Sequence, residues 1–207
     1  HWRDGIGDRS KRPKMVNTHW GGVTEDNSFG THEFLQLCDL LGTEPYIAGN
    51  VGSGTVEEMS KWVEYLNSDG DSPMTQLRKQ NGRDKPWKVS FWGVGNESWG
   101  CGGNMTAAYY ANEYRRYATF ARNYPSAPLK KIAGGANSAD YNWTEVLMKN
   151  IPHNLMWGIS LHHYTIPTGI WGKKGAATHF DEAEYFNTMK NCLFMDTLVS
   201  KHIAIMD

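Results

Sequence analysis

Two side chains that could do chemistry, Asn96 and Glu97, follow directly after an apolar run in the middle of the chain. Residues 89–95 carry no charge, and glycines at 100, 102 and 103 interrupt the chain just beyond them. The pattern predicts a buried strand that delivers both side chains to its carboxyl end. A carboxyl group among aromatic rings can hold its proton near neutral pH and donate it as a general acid. The plainer alternative is that Glu97 caps the next helix or pairs with an arginine, but the preceding amide favours catalysis.

Three other apolar runs also end in polar or aromatic side chains. Residues 45–48 lead to Asn50, residues 131–136 lead to Asn137, and residues 155–161 lead to His162, His163 and Tyr164. In a barrel of parallel strands the carboxyl ends meet at one rim, so we expect these side chains to gather near Glu97. Amides there can hold hydroxyl groups, and aromatic rings can stack on sugars.

His162 and His163 are neighbours, so in a strand they point to opposite sides, which argues against a metal ion held by both. No metal ligand is predicted. A single histidine at a strand end serves equally often as a structural hydrogen-bond partner and as a functional group, and we retain His162 as a candidate substrate-binding residue. Trp20 lies in a polar loop, where it is either a local packing plug or a platform for a sugar ring.

Composition excludes several classes of protein. The 207 residues can bury the core of one domain, and the net charge of −1 without a basic run argues against nucleic acid as a partner. No apolar stretch approaches the ~20 residues that a membrane helix needs. Cys38, Cys101 and Cys192 lie far apart and form neither a metal-binding pattern nor a disulfide framework. Nine Trp and ten Tyr suit a protein that stacks aromatic rings on sugars.

The elements that would position these residues alternate between strand and helix. A helix should begin at Thr31 and end at Gly42, with an inward face of Phe34, Leu37, Cys38 and Leu41. Another should begin at Thr55 in a capping box with Glu58. A third should span 106–123 with its tyrosines inward, a shorter one lies near 143–150, and a long one runs from about 181 to 207. Residues 68–87 are expected to form a surface excursion.

Four short, unalternating strands between helices predict an α/β fold with a parallel sheet. A complete (β/α)8 barrel takes ~250 residues. The chain is therefore expected to be part of one such barrel domain.

Other catalytic arrangements are missing from the sequence. There is no nucleophile elbow with a Ser-His-Asp order, and no phosphate-binding glycine loop follows a strand. Glycosidic bond cleavage uses two carboxylates, about 5–5.5 Å apart for retention and about 6.5–9.5 Å apart for inversion. Glu97 supplies one of them, and residues 1–207 show no convincing second.

Several motifs resemble glycoside hydrolase family 51, chiefly α-L-arabinofuranosidases. They occur in the family's order over nearly the whole chain: WRDGIG at 2–7, FGTHEF at 29–34, WVEY at 62–65, WGVGNE at 92–97 and SLHHY at 160–164. The resemblance implies a (β/α)8 barrel of a retaining clan with its acid/base at the end of strand four.

Residue by residue, the resemblance gives Glu97 the role of the acid/base and gives Asn96 that of the residue that binds the substrate 2-hydroxyl. It matches Tyr164 to a tyrosine that touches the nucleophile, and Trp20 to a tryptophan lining the sugar subsite. The family's nucleophile is a Glu in an Asp-Glu-Trp context, which this chain lacks, so we expect it beyond residue 207. The resemblance thus implies that the chain is an internal fragment of a single barrel domain, about strands three to six with their helices. The remaining barrel strands and a C-terminal β-sandwich are then expected outside the chain. The 207 residues alone are predicted to be neither a stable barrel nor active.

The resulting hypothesis is a retaining enzyme that releases terminal α-L-arabinofuranosyl residues from plant polysaccharides. An endo-β-1,4-glucanase or xylanase on the same barrel, and a carbohydrate-binding protein without catalysis, are the alternatives. No cofactor is needed, because two carboxylates suffice. The expected partner is an arabinofuranosyl-containing oligo- or polysaccharide, with no nucleic acid or membrane, and the full-length protein is expected to be a homo-oligomer. The compartment is left open, although periplasmic or extracellular export would suit a polysaccharide degrader.

Overall fold

The computed structural model describes residues 1–207, and its centre is a parallel sheet covered by helices. The elements in chain order are β1 (Met15–Val16), β2 (Thr24–Glu25), α1 (Thr31–Leu41), β3 (Tyr46–Gly49), α2 (Val56–Asn67), α3 (Pro73–Gln80), β4 (Phe91–Val94), α4 (Ala107–Phe120), β5 (Lys130–Ala133), α5 (Tyr141–Asn150), β6 (Gly158–Ile159), α6 (Glu182–Cys192) and α7 (Phe194–Met206). Short 3-10 turns lie at Trp2–Gly5, Arg9–Lys11 and His153–Leu155.

The four predicted parallel strands are confirmed, in the order β3-β4-β5-β6. Ala48 lies opposite Gly93, and Gly93 lies opposite Ile132, so the carboxyl ends of the strands are in register. A separate two-stranded antiparallel hairpin, β1 with β2, carries Trp20 in its connection. The predicted α/β fold is therefore correct, and the strand ends meet at one edge as expected.

Helix α4 forms the middle of the core. Its predicted inward face is confirmed, because Tyr110, Tyr114 and Tyr117 are all at most 2% exposed and the alanines between them are buried as well. The Tyr110 ring stacks on Trp143 of α5, with the ring centroids 5.4 Å apart.

Helix α1 is rotated relative to the prediction. It begins at Thr31 and ends at a left-handed Gly42 as expected, and of its predicted inward face Cys38 is buried and Phe34 packs against the core. The other buried apolar and aromatic positions are His32 and Leu35, while Leu37 is 41% exposed. Leu41 is exposed too. Polar contacts set this rotation, since the His32 ring lies 2.6 Å from the Tyr65 hydroxyl. Hydrophobic spacing alone could not reveal that a histidine belongs to the core face.

The stretch 68–87 is more than a surface excursion, because it contains α3. Ser72 caps this helix in a capping box with Thr75, and Pro73 occupies its first turn. Its inward face includes Arg78, which is 1% exposed and donates hydrogen bonds to the carbonyls of Tyr65, Ser68 and Asp84. A buried arginine held by backbone carbonyls leaves no apolar pattern, which explains the wrong prediction.

Three further details differ from expectation. The predicted long C-terminal helix is two helices, α6 and α7, which meet at Leu193, and β6 is only two residues long. Thr55 does cap α2 by accepting from the Glu58 N–H, but the Glu58 carboxylate bonds Arg3 instead of closing the capping box. None of the helices is long and apolar enough to cross a bilayer.

Candidate active site

The loop that follows β4 places Glu97 at the carboxyl edge of the sheet. Gly95 and Glu97 both have left-handed backbones, with φ of 88° and 45°. The Glu97 carbonyl accepts hydrogen bonds from the N–H groups of Gly100 and Gly102, and the Met105 N–H closes the loop on Ser98. A side chain on Gly102 would put its Cβ 1.9 Å from the Asn96 carbonyl oxygen, so the loop requires glycine there.

Both oxygens of the Glu97 carboxylate have a partner. Oε1 lies 3.0 Å from Nδ1 of His162, and Oε2 accepts a hydrogen bond from the Cys101 thiol at 3.3 Å. Neither structural alternative applies, because Thr106 caps α4 and no arginine contacts Glu97. The side chain is 18% exposed, which leaves it open to the cavity beside it.

A cavity of about 1010 Å³ lies in front of Glu97. Trp20, 66% exposed, and Tyr164, 62% exposed, line it together with Glu97. Trp171 also lines it, with its ring 4.9 Å from that of Tyr164. Glu97 is the only carboxylate in this lining.

Of the other predicted site residues, Asn137 and His163 also line this cavity, whereas Asn96 and His162 lie close to it without lining it. Asn96 is exposed one residue before Glu97, and His162 lies behind the carboxylate with its ring 6.3 Å from that of Trp99. His163 points elsewhere, with Nδ1 3.0 Å from the Ser138 hydroxyl. The two histidines therefore diverge as expected, and no cluster of ligating side chains is arranged to hold a metal ion.

Backbone hydrogen bonds from aromatic side chains hold the strand ends in place beneath the site. The Tyr110 hydroxyl donates to the Val94 carbonyl and accepts from the Gly134 N–H at 2.6 Å, which ties β4 to the segment after β5. Burial raises the pKa of Tyr110 far above its usual range, so the hydroxyl keeps its proton. Trp99 Nε1 donates to the Gly135 carbonyl at 3.0 Å.

Sequence reasoning missed several residues of this site. Cys101, Trp99 and Trp171 also line the cavity. In the sequence, Cys101 is only one of three widely spaced cysteines, and the two tryptophans contribute only to the high aromatic content. The available signal was local: Cys101 lies four residues after Glu97, between glycines that allow the chain to turn back on itself.

Comparison with known proteins gives one consistent set of relatives. The family model described as "Alpha-L-arabinofuranosidase 1 domain" matches residues 1–184. An intracellular exo-alpha-L-arabinofuranosidase of Bacteroides ovatus is 61% identical over 207 residues, which are 100% of this chain and 40% of that protein. A probable alpha-L-arabinofuranosidase C of Aspergillus niger is 39% identical over 69% of this chain and 28% of its own length.

Solved structures agree. The crystal structure of a GH51 arabinofuranosidase from Xanthomonas axonopodis pv. citri has a TM-score of 0.94 at 52% identity, over 100% of this chain and 42% of that one. An alpha-L-arabinofuranosidase from Thermotoga maritima in an arabinose complex has a TM-score of 0.80 at 33% identity, over 97% of this chain and 38% of that one. The chain thus spans about two fifths of the length of these relatives.

Proposed function

The chain belongs to glycoside hydrolase family 51, and from this membership we propose that the full-length protein is a retaining, exo-acting α-L-arabinofuranosidase. Its substrates would be arabinose-containing plant oligo- and polysaccharides, from which it releases terminal α-L-arabinofuranosyl residues. The observation that carries the proposal is the position of Glu97, a carboxylate facing a cavity lined by the exposed rings of Trp20 and Tyr164.

In this mechanism Glu97 first protonates the glycosidic oxygen of the leaving group while a second carboxylate attacks the anomeric carbon. Glu97 then removes a proton from water as the water displaces that carboxylate, and arabinose leaves with its configuration retained. Because Glu97 is the only carboxylate in the cavity lining, we assign the nucleophile to a segment outside residues 1–207.

The remaining roles rest on the resemblance to the family, and the cavity lining supports those of Trp20 and Tyr164. We assign Trp20 and Tyr164 to the walls of the sugar subsite, and Asn96 to the substrate 2-hydroxyl. His162 contacts Glu97 directly. We therefore place any contact between His162 and the substrate next to the acid/base and not at the cavity wall. Homo-oligomeric assembly stays a prediction, which light scattering on the full-length protein tests.

The decisive experiment compares Glu97→Ala with wild type in the full-length protein, on arabinoxylan and on a 4-nitrophenyl arabinofuranoside. Loss of general acid catalysis should lower kcat/KM on arabinoxylan by about 10²–10⁴-fold, with a much smaller effect on the activated substrate. Azide should restore activity of the variant on the activated substrate, and wild type should release free arabinose rather than shortened backbones.

Glu145→Ala is a suitable control, since Glu145 lies exposed on α5. It should behave as wild type on both substrates. Undiminished cleavage of arabinoxylan by Glu97→Ala would refute the role of Glu97, and backbone fragments in place of arabinose would refute the substrate assignment.

A further inference from the structure

The Glu97 carboxylate has one partner that neither the sequence motif nor the proposed mechanism uses, the thiol of Cys101. The Sγ atom lies 3.3 Å from Oε2, on the oxygen opposite the one that faces His162. Cys101 also lines the cavity. We propose that Cys101 is a positioning residue that holds Oε2 of Glu97, and with it the orientation from which this carboxyl group donates and accepts its proton.

The loop is built to bring this thiol back to the carboxylate. Hydrogen bonds from Gly100 and Gly102 to the Glu97 carbonyl form a tight turn, and the Asn104 N–H adds a bond to the Gly100 carbonyl at 2.7 Å. Gly102 tolerates no Cβ against the Asn96 carbonyl. These bonds fix the backbone of Cys101 at the tip of a turn, within reach of Glu97.

A thiol suits both protonation states of the acid/base. While Glu97 is ionised, the S–H group donates to it, and when Glu97 carries its proton, sulfur can accept a weak hydrogen bond from the carboxyl group. The hydrogen bond to Glu97, together with slight burial and the charge of the same carboxylate, raises the pKa of the Cys101 thiol. The thiol therefore remains protonated, and thus a donor, at neutral pH.

Other ionisable groups near Glu97 are the same in every variant tested. His162 contacts the carboxylate from the segment after β6. His163, Tyr164 and Lys190 line the cavity from that segment and from α6. A change in pH dependence on replacing Cys101 alone is therefore due to the thiol.

The first test rests on the proposed function and uses the full-length enzyme with Cys101→Ala and Cys101→Ser. Removing a donor to the carboxylate should move the alkaline limb of the pH profile of kcat/KM upward by about half a pH unit. Cys101→Ser keeps a donor, so its limb should stay at or below the wild-type position. At neutral pH, Cys101→Ala should lose several-fold on an alkyl arabinofuranoside and less than twofold on the 4-nitrophenyl one. An unchanged limb in Cys101→Ala, or the same shift in both variants, would overturn the proposal.

The second test needs no substrate, so it separates this proposal from the proposed function. Alkylation of Cys101 by iodoacetamide is followed by peptide mass spectrometry in wild type and in Glu97→Gln, with exposed Cys192 in the same digest as the control. Replacing the carboxylate should lower the pKa of the thiol and speed alkylation of Cys101 about threefold at pH 8. The rate at Cys192 should not change. An equal rate at Cys101 in the two proteins would refute the contact on which the proposal depends.

Discussion

Replacing Tyr110 with phenylalanine should destabilise the protein and also disturb the site above it. The hydroxyl is fully buried between two strands, where it donates to the Val94 carbonyl and accepts from the Gly134 N–H. Phenylalanine keeps the ring, including its stacking on Trp143, and removes only the oxygen. The variant therefore isolates two hydrogen bonds at one position.

The magnitude follows from the groups left behind. An unsatisfied buried polar group costs about 1–3 kcal/mol, and Tyr110→Phe strands both a carbonyl and an N–H group. We expect the free energy of unfolding to fall by about 2–6 kcal/mol. Since Val94 precedes Glu97 by three residues, loosening of the end of β4 should also lower kcat/KM on arabinoxylan by about tenfold.

Urea unfolding of the full-length protein, followed by circular dichroism, measures the first effect. Tyr109→Phe is the matched control, because Tyr109 neighbours Tyr110 on α4, is 56% exposed, and its hydroxyl forms no hydrogen bond within the chain. The control should change stability by less than ~0.5 kcal/mol. A loss in Tyr110→Phe no larger than in the control would show that the hydroxyl does not tie the strands together.

The ion pair in the first turn of α1 and the loop after β4 give two further predictions. Burial alone would raise the pKa of Glu33, but hydrogen bonds from Arg12, the Gly30 N–H and Arg9 lower it to about 2. The ionised Glu33 therefore stabilises the folded protein fully above pH 4.5, and this stabilisation is lost as the pH falls toward 2. Glu33→Gln should cost about 3 kcal/mol at pH 7 and flatten the pH dependence of urea unfolding in that window, whereas an unchanged pH dependence would contradict the assignment. Gly102→Ala should lower kcat/KM at least tenfold while the circular dichroism spectrum is retained, because its Cβ would meet a carbonyl at 1.9 Å; exposed Gly70→Ala is the control, and full activity of Gly102→Ala would refute the strict need for glycine.

The sequence predicts the buried face of a helix best where the spacing of its own residues determines that face. The inward face of α4 was predicted correctly because tyrosine and alanine spacing is read directly as helix periodicity. The rotation of α1 was not, since it depends on His32 meeting Tyr65, a partner 33 residues away. The break at Leu193 escaped for a related reason: the apolar residues of α6 and α7 continue across it without a glycine or proline.

For the candidate site, the predicted strand ends were sufficient to place Glu97, His162 and Tyr164 at one edge of the sheet. What they could not show is orientation, because the direction of the Glu97 side chain depends on its left-handed backbone and on a turn closed by backbone hydrogen bonds. Those contacts also determine that Cys101 faces the carboxylate. A cysteine four residues away in sequence carries no such information unless the turn between them is known.

On the proposed function, the exposed face of the sheet gives the side from which the second carboxylate would approach Glu97. Along β3 exposed and buried side chains alternate, with Ile47 under the helices and Tyr46 exposed on the other face. Trp157, just before β6, is 60% exposed. Parallel sheets are normally covered on both faces, and both edges here, β3 and β6, lack a further strand. We therefore expect strands from outside residues 1–207 to pair with these edges and to enclose the bare face. A retaining pair then requires a carboxylate on that added wall about 5–5.5 Å from Glu97.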